Sequence, residues 1–364
     1  MKKQKIIHFV YGGGSGATLK AEEIAIGNKQ GNFFEPYMVY HGQAKNKQTM
    51  SDYGIPFWEV EAQRKMELIK ELTKVIKEIN PDIVISHGYK EHIFGRIASL
   101  RAKVPIIIQV EHNSQPYAIL YYLLSFVLSF FTNRIICVSH AVKEHLLNLF
   151  FFNKHKMHVI YNGFYIDRFF NETPLTSRLP GVLMIARFSS QKDHITLIKA
   201  AKIMKDKKKS CPIYFIGDGS RKHFDKSQKL VEKLGLEDTV HFLGRREDVP
   251  ELLAKYQISV LSTHYEGLSG VIMEAMAAGN VVIATNAPGV TELITHEKTG
   301  FLVPPKSPEI LADRIISVLE HPEKYTQIVE SAQKYILENF NVDIMVKNYE
   351  QVFREEYSKY INKK

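Results

Sequence analysis

Apolar runs of strand length alternate with stretches of helical period along almost the whole chain, and this alternation constrains the fold more than any other feature. Each parallel strand needs a crossover connection, usually a helix, before the next strand begins, so such repeats are typical of parallel sheets. We predict an α/β protein with strands at residues 6–10, 36–40, 83–86, 106–110, 134–138, 158–161, 181–186, 213–216, 239–243, 258–261, 281–285 and 301–303.

The length of the chain and a stretch of turn-forming residues near its middle predict two domains. A chain of 364 residues exceeds the size at which one hydrophobic core usually stops growing. Residues 162–180 carry turn-forming residues and two prolines without a clear period, which indicates a connection between domains. We therefore place Rossmann-like domains at 1–168 and 181–340, and a C-terminal helix at 341–364 that crosses back to the N-terminal domain. The cleft between two such domains is the natural ligand site.

The charge and the cysteine content of the chain indicate its possible partners and its cellular compartment. The net charge is +9, and residues 1–168 hold 21 Lys and Arg against 14 Asp and Glu, a net +7. A basic surface suits nucleic acid, an anionic membrane or an anionic substrate, and it is equally compatible with a solvated surface without a partner. Cys137 and Cys211 each lie in an apolar, strand-like run, and residues 1–5 lead into no signal-peptide pattern, so we expect a cytoplasmic protein.

A glycine-bearing loop follows the predicted strand 258–261. The sequence Glu266-Gly267-Leu268-Ser269-Gly270 precedes a run of strong helix formers, so backbone amides and a helix N-terminus can approach an anion there. Glu274 lies about 5–6 Å along the helix axis, which suits hydrogen bonds from ribose hydroxyls, and Glu266 can face a sugar. The alternative is an ordinary loop whose first-turn glutamate interacts with the helix dipole.

Cations and histidines at strand ends complete the candidate site. Arg187 and Lys192 follow the first strand of the second domain, where they can neutralise charge on a departing nucleoside diphosphate, although a solvated loop of mixed charge is the alternative. His112 and His87 also end strands, and each is either a hydrogen-bonding group to substrate or a structural histidine. Asp218 fits a tight turn better than a ligand role.

A series of motifs in the second half resembles glycosyltransferase family 4, a family of retaining enzymes. The order, spacing and residue types agree over residues 181–305: Ala186-Arg187-Phe188…Gln191-Lys192, Ile216-Gly217-Asp218-Gly219, Phe242-Leu243-Gly244…Asp248-Val249, Tyr265-Glu266-Gly267…Glu274-Ala275-Met276-Ala277-Ala278-Gly279, and Thr299-Gly300-Phe301-Leu302-Val303-Pro304-Pro305. The first half is similar more loosely, through Gly12-Gly13-Gly14-Ser15-Gly16, Ile85-Ser86-His87, Val138-Ser139 and Ile160-Tyr161-Asn162-Gly163. The resemblance implies the GT-B fold, in which two Rossmann-like domains face each other across a cleft.

The resemblance also implies roles for individual residues. Arg187 and Lys192 would bind the donor diphosphate and Glu274 the ribose. Glu266 and the amides of Gly267, Leu268, Ser269 and Gly270 would engage the sugar and phosphates, and Gly14 and Gly16 would approach from the first domain. With His112, the residues Arg187, Lys192 and Glu266 form the predicted catalytic set.

The activity implied is retaining transfer of a sugar from a nucleotide-diphosphate sugar, a UDP-sugar, to a saccharide or polyprenyl-linked acceptor in cell-surface polysaccharide or glycolipid synthesis. The chain has no Asp-x-Asp motif to hold a divalent cation on the diphosphate, so we expect no metal and no other cofactor. The alternatives are a nucleotide-sugar epimerase or hydrolase of the same fold and a non-enzymatic protein that binds through its basic surface. No nucleic-acid-binding motif is present, so a nucleic-acid partner is not expected.

Residues 117–131 are apolar and uncharged, and they are followed by the aromatic and basic segment 150–156. Fifteen residues are fewer than the roughly 20 that a membrane-spanning helix needs. The stretch is either a core helix or a helix lying at a membrane surface, which would place the protein at the inner face of the cell membrane, beside a lipid-linked acceptor.

Overall fold

The computed structural model describes residues 3–88, 91–112, 119–149 and 152–363. The chain divides into two compact units. The first comprises Met1–Gly163 and Val342–Lys364, and the second comprises Phe164–Asn341. Each unit has its own parallel sheet, as the alternation of strand and helix patterns predicts.

The sheet of the first unit has seven parallel strands in the spatial order β3-β2-β1-β4-β5-β6-β7. The strands are β1 (Gln4–Tyr11), β2 (Phe34–His41), β3 (Phe57–Val60), β4 (Ile83–His87), β5 (Ile106–Glu111), β6 (Arg134–Cys137) and β7 (Met157–Val159). The order reverses between β1 and β4, and the carboxyl ends of parallel strands at such a point form a crevice that favours ligand binding.

Helices follow the strands of the first unit. They are α1 (Gly16–Gln30), α2 (Lys47–Asp52), α3 (Lys65–Ile79), α4 (Glu91–Arg101), α5 (Ile119–Ser129) and α6 (His140–Leu149). Local signals fix several helix ends. Ser15 caps α1 by accepting a hydrogen bond from the amide of Thr18 at 3.3 Å, and Asn80 ends α3 in the left-handed conformation.

The second unit has six parallel strands in the order β10-β9-β8-β11-β12-β13. The strands are β8 (Leu179–Ile185), β9 (Ile213–Ile216), β10 (Val240–Gly244), β11 (Tyr256–Leu261), β12 (Val281–Thr285) and β13 (Phe301–Val303). The helices are α7 (His194–Asp206), α8 (Arg221–Leu234), α9 (Val249–Lys255), α10 (Gly270–Ala277), α11 (Pro308–Glu320) and α12 (Thr326–Asn339). The order again reverses between two central strands, β8 and β11.

The C-terminal helix α13 (Val342–Ile361) belongs to the first unit, although all of the second unit precedes it in sequence. Tyr349 and Phe353 are fully buried on its inner face. The side chain of Glu350 accepts a hydrogen bond from Nδ2 of Asn28 in α1 at 3.3 Å. Glu356 pairs with Arg134 of β6, with 2.6 Å between Nε and Oε1.

Strand β3 was not predicted from the sequence, where we expected twelve strands. It contains Glu59 beside Trp58 and is only four residues long, so the apolar signal is weak. It is the edge strand of its sheet. Glu59 accepts a hydrogen bond from the backbone amide of Ala44 at 2.6 Å and pairs with Lys47 at 2.8 Å, contacts that no local pattern indicates.

Helix α5 presents its apolar side outward. The buried side chains of the helix are Tyr122, Ser125, Leu128 and Ser129, whereas large apolar side chains are exposed on the helix or directly after it: Ile119, Leu120, Leu123, Leu124, Val127, Phe130 and Phe131. We call these seven residues the apolar strip. Tyr117 and Ala118, which begin the predicted stretch 117–131, lie outside the described residues. An amphipathic helix of a globular protein normally turns its most apolar face to the core, whereas α5 exposes most of its large apolar side chains.

The buried guanidinium of Arg96 accounts for the orientation of α5. It donates hydrogen bonds to Oγ of Ser125 at 2.9 Å, to the carbonyl oxygen of Ser125 at 3.3 Å and to Oγ1 of Thr132 at 3.3 Å. It also donates to the carbonyl of His92, one turn earlier in α4, at 2.9 Å. A buried charge must be satisfied by hydrogen bonds, and the polar groups of α5 and Thr132 satisfy this one.

Among the described residues, no helix is long and apolar enough to cross a membrane.

An aromatic cluster forms part of the core of the second unit. The rings of Phe188 and His194 are stacked, with 4.2 Å between centroids, and Phe215, Phe224 and Phe242 pack around Phe188. His194 begins α7 and is 3 % exposed. Burial lowers the pKa of His194 to about 4 because the charged imidazolium would lose its hydration.

We expect His194 to make stability fall with acidification. Between pH 6.5 and about pH 4 the unfolded chain binds a proton at this imidazole that the folded protein does not, so the folded state loses stability as the pH decreases. Urea unfolding at pH 7 and pH 4 should show that the wild type loses about 2–3 kcal/mol more than His194→Phe, which keeps the stacking on Phe188. An equal loss in both proteins would show that His194 is not held neutral by burial.

Candidate active site

The loop after β8 carries Arg187 and is fixed by a tight turn after β9. The amide of Phe188 donates to the carbonyl of Asp218 at 2.8 Å, and the amide of Ser220 donates back to the carbonyl of Phe188 at 2.7 Å. Gly219, at φ +144°, must be glycine because a Cβ there would lie 2.5 Å from the carbonyl oxygen of Phe188. Asp218 thus takes part in the turn through its backbone, and the exposed Arg187 is held next to it.

Lys192 and Glu266 form a largely buried ion pair between two loops. The ammonium of Lys192 contacts Oε1 of Glu266, and the side chains are 12 % and 9 % exposed. Nε2 of Gln191 donates to the other carboxylate oxygen at 3.2 Å and to the carbonyl of Tyr265 at 2.7 Å. The pair therefore joins the loop after β8 to the loop after β11. A lysine ammonium has three donors, so Lys192 can hold Glu266 and still donate to a phosphate oxygen.

Backbone contacts fix the loop that carries Glu266. Its amide donates to the carbonyl of Pro288 at 2.9 Å, in the turn after β12. Gly289 follows with φ +76°, and a Cβ there would lie 2.3 Å from the carbonyl oxygen of Glu266. Thr263 is held by a hydrogen bond from its amide to Oγ1 of Thr285 at 3.0 Å, and its hydroxyl donates to the carbonyl of Gln191 at 3.2 Å. Three adjacent strand ends therefore position this carboxylate.

The loop leads directly into α10, as the sequence predicts. Gly267 and Ser269 are buried, Leu268 is half-buried and Gly270 is exposed. Ser269 precedes the helix and makes no side-chain cap, and the first-turn amides of any helix have no acceptor within the helix. Oε1 of Glu274 lies 3.9 Å from the position that a Cβ on Gly270 would occupy, so this carboxylate is near the start of the helix. A carboxylate and a set of amide donors thus share one helix end.

A pocket of the second unit opens beside Lys192. Its walls also include Ser189, Ser190, His223, Lys226 and His264. Two lysines and one aspartate, Asp193, line it, and this excess of positive charge favours an anionic ligand.

The other predicted site residues lie in the first unit. His112 follows β5 and is partly buried, and its Nε2 is 3.4 Å from Nδ1 of His87. Burial and the positive charge of Lys20 lower the pKa of His112 to about 4, so its imidazole is neutral at physiological pH. Gly14 has φ +68°, in the loop between β1 and α1, and Gly16 begins α1.

The structure therefore brings Lys192 and Glu266 into direct contact and places Glu274 at the start of the helix that follows their loop. Gly14, Gly16 and His112 belong to the other unit. Sequence reasoning did not single out Gln191, Thr263 or Gly289 as supports of the site. The Pro288-Gly289 pair is a turn signal after a strand, but nothing local shows that the turn packs against Glu266.

Chemically, the site of the second unit offers two cations, helix amides and two carboxylates, one on the loop after β11 and one in the first turns of α10. Cations and helix amides stabilise phosphate charge, and carboxylates accept hydrogen bonds from sugar hydroxyls. Among the described residues, no group of three or more His, Cys, Asp or Glu side chains could hold a metal ion.

Two family models match the chain. Residues 166–335 match the family described as glycosyl transferases group 1, and residues 41–168 match glycosyltransferase family 4. Together they extend from residue 41 to residue 335.

Individual relatives cover most of the chain. UDP-Gal:alpha-D-GlcNAc-diphosphoundecaprenol alpha-1,3-galactosyltransferase of Escherichia coli is 26 % identical over 305 residues, which is 77 % of this chain and 78 % of that protein. N,N'-diacetylbacillosaminyl-diphospho-undecaprenol alpha-1,3-N-acetylgalactosaminyltransferase of Campylobacter jejuni is 26 % identical over 310 residues, 78 % of this chain and 80 % of that protein.

Solved structures share the fold. The crystal structure of Anabaena HepE in complex with UDP-glucose superposes with a TM-score of 0.85 at 23 % identity, and covers 97 % of this chain and 100 % of that chain. The two parallel-sheet α/β domains match those of GT-B glycosyltransferases. From the family models, the relatives and the fold together, we conclude that this chain belongs to glycosyltransferase family 4.

Proposed function

We propose that this glycosyltransferase moves a sugar from a UDP-sugar to a saccharide or polyprenyl-linked saccharide acceptor, with retention of the anomeric configuration. The observation that carries the proposal is the buried pair of Lys192 and Glu266, which joins a cationic loop to a loop that ends in a helix N-terminus. This arrangement suits a ligand with a diphosphate at one end and sugar hydroxyls at the other. The UDP-glucose complex of HepE and the diphosphoundecaprenol-linked acceptors in the names of the two relatives support the choice of donor and acceptor.

In the proposed reaction, Arg187, Lys192 and the amides at the start of α10 stabilise the negative charge that develops on the departing diphosphate. Glu274 accepts hydrogen bonds from the ribose, and Glu266, oriented by Lys192 and Gln191, accepts them from the donor sugar. The amides of Gly267–Gly270 contact the sugar and phosphates. Gly14, Gly16 and the neutral His112 contribute from the first domain.

The proposed chemistry is attack on the same face as the departing phosphate. The acceptor hydroxyl oxygen forms a bond to the anomeric carbon, the bond from that carbon to the diphosphate oxygen breaks, and the hydroxyl proton passes to the departing phosphate. A double displacement would need a carboxylate nucleophile. Glu266 is the carboxylate assigned to the sugar, and its oxygens already accept from Lys192 and Gln191, so we assign it to binding.

We also propose that catalysis needs no metal ion and no other cofactor. The charge of a diphosphate can be balanced by Arg187, Lys192 and the positive end of the α10 dipole. The lack of an Asp-x-Asp motif in the chain supports this proposal.

A membrane contact through α5 fits a lipid-linked acceptor. The apolar strip would enter the interface between lipid headgroups and acyl chains, and nearby cations would meet anionic headgroups. Nζ of Lys65 lies 5.9 Å from the ring centroid of Tyr121 in α5, and Lys154 is exposed. Lys156 donates to three carbonyls at the end of the strip, including that of Thr132 at 2.8 Å. Phe150 and Phe151, the start of the predicted segment 150–156, lie outside the described residues. The proposed location is the cytoplasmic face of the membrane.

Sugar transfer tests the proposed function directly. A thermal-shift screen over nucleotide sugars first identifies the donor, because a ligand that binds only the folded state raises the melting temperature. With that donor and a polyprenyl-diphosphate-linked saccharide, we expect Lys192→Ala to lower kcat/KM for UDP release by on the order of 100-fold. Lys199→Ala, which removes an exposed positive charge from α7, should remain close to wild type.

Three results of the same assay would contradict the proposal. Full activity of Lys192→Ala would show that Lys192 does not stabilise the departing diphosphate. Loss of transfer in EDTA, with recovery on adding Mg²⁺ or Mn²⁺, would refute metal independence. Turnover of the donor at the full rate without acceptor would indicate an epimerase or hydrolase instead.

Vesicle sedimentation tests the membrane contact. We expect the protein to sediment with phosphatidylglycerol vesicles and less with phosphatidylcholine vesicles. Phe131→Asp should weaken this binding by about tenfold or more, because an exposed aromatic ring no longer enters the interface. Ile310→Asp, which makes a similar change at an exposed apolar residue of the second domain, is the matched control. Equal binding of the two variants would contradict a contact through the apolar strip.

A further inference from the structure

Three histidines, His8, His87 and the partly buried His112, form a line in the first domain. His8 lies in β1 and His87 ends β4, and both are completely buried. Nδ1 of His8 is 3.3 Å from Nε2 of His87, and Nδ1 of His87 is 3.4 Å from Nε2 of His112. The line leads from the sheet interior to the one histidine that the proposed function assigns to substrate.

The far end of the line is anchored by an amide and a carboxylate. Nε2 of His8 is 3.2 Å from Oδ1 of Asn28 in α1, and Nδ2 of Asn28 donates to Oε1 of Glu350 in α13 at 3.3 Å. The other oxygen of Glu350 is 3.5 Å from a guanidinium nitrogen of Arg354. Glu350 is thus a carboxylate beside a cation, and it accepts hydrogen bonds.

This anchor determines the direction of every hydrogen bond in the line. Reversing the Asn28 amide would turn its oxygen toward the Glu350 carboxylate, which offers no proton. Oδ1 of Asn28 therefore faces His8 and needs a donor, so Nε2 of His8 carries the proton. Because each imidazole is neutral, Nδ1 of His8 is then an acceptor, Nε2–H of His87 donates to it, and Nε2–H of His112 donates to Nδ1 of His87.

We propose that Glu350, Asn28, His8 and His87 form a directional relay that fixes His112 as the Nε2–H tautomer and presents its unprotonated Nδ1 as a hydrogen-bond acceptor to substrate. The four relay residues are positioning residues, since they act through His112. The role of His112 at the substrate rests on the proposed function, whereas the prediction of its tautomer does not.

Charge and burial support neutral rings throughout. Burial lowers the pKa of His8 to about 4 and that of His87 well below its usual value, and the neighbouring histidines lower the latter further. In the part of the chain that the structure describes, Nδ1 of His112 has no protein partner. A neutral imidazole with an unprotonated nitrogen accepts a hydrogen bond from a hydroxyl, so His112 is suited to orient a hydroxyl of the donor sugar or of the acceptor.

Histidine ¹⁵N NMR on the full-length protein tests the relay without any substrate. Long-range ¹H–¹⁵N spectra distinguish protonated from unprotonated ring nitrogens, and the signals are assigned with single His→Gln variants. We expect protonated Nε2 and unprotonated Nδ1 at His8, His87 and His112. A wild-type His112 that carries its proton on Nδ1, or that is doubly protonated at pH 7, would overturn the relay.

Two substitutions at His8 then distinguish an effect on hydrogen-bond direction from an effect of losing the imidazole side chain. His8→Leu removes the described acceptor of Nε2–H of His87, so we expect His87 and His112 to change to the Nδ1–H tautomer. His8→Gln can donate to Asn28 and accept from His87, so it should keep the wild-type tautomer. If His8→Leu left the His112 tautomer unchanged, the relay would be wrong.

Kinetics connect the relay to the proposed function. We expect His8→Leu to lower kcat for transfer by on the order of tenfold or more, His8→Gln to recover most of it, and UDP affinity to stay unchanged in both. A tautomer change without any change in kcat would leave the relay in place and refute the substrate role of His112. If the wild-type protein did not bind UDP, the proposed donor would be refuted, whereas the NMR result on the tautomers would still stand.

Discussion

The candidate site depends on the ion pair between Lys192 and Glu266. These residues are 74 positions apart in sequence, and the pair is the point at which the loop after β8 meets the loop after β11. A largely buried pair needs further hydrogen bonds to compensate for lost hydration, and Gln191 supplies one to the carboxylate. Gly219 packs against the loop after β8 and Gly289 against the loop after β11, and the hydroxyl of Thr263 joins the two loops by donating to the carbonyl of Gln191. Substituting any one of these three acts on the geometry of the pair and leaves its charges in place.

Much of the fold was predictable because parallel sheets leave a strong mark on sequence. Their strands are buried on both faces, so β12, for example, reads as the almost continuous apolar run Val281-Val282-Ile283-Ala284-Thr285 between helical segments. Strand β3 gave no such signal, because it lies at a sheet edge and carries the charged Glu59. The sequence left two orientations of α5 open, and it could not decide between them because the hydrogen bonds on its buried face come from Arg96, 29 residues before Ser125.

The candidate site was predictable to a similar degree and for a related reason. Arg187, Lys192 and Glu266 stand in short motifs after strand ends and Glu274 lies in the helix that follows, so the sequence could single them out as candidates; their roles toward a donor stay predictions. Supporting contacts have no such local pattern. Asn28 and Glu350 are 322 residues apart, and only the return of α13 to the first domain brings them together. His112 was therefore visible as a candidate, whereas the line of residues behind it was not.

The claim that Lys192 and Glu266 act as one unit toward the donor is tested most directly by a double-mutant cycle on UDP-sugar affinity. Isothermal titration of the wild type, Lys192→Met, Glu266→Gln and the double variant gives the coupling free energy between the two side chains. The account predicts a coupling of about 1 kcal/mol or more, because each single variant leaves a partly buried charge without its partner. Effects that add to within about 0.3 kcal/mol would contradict it.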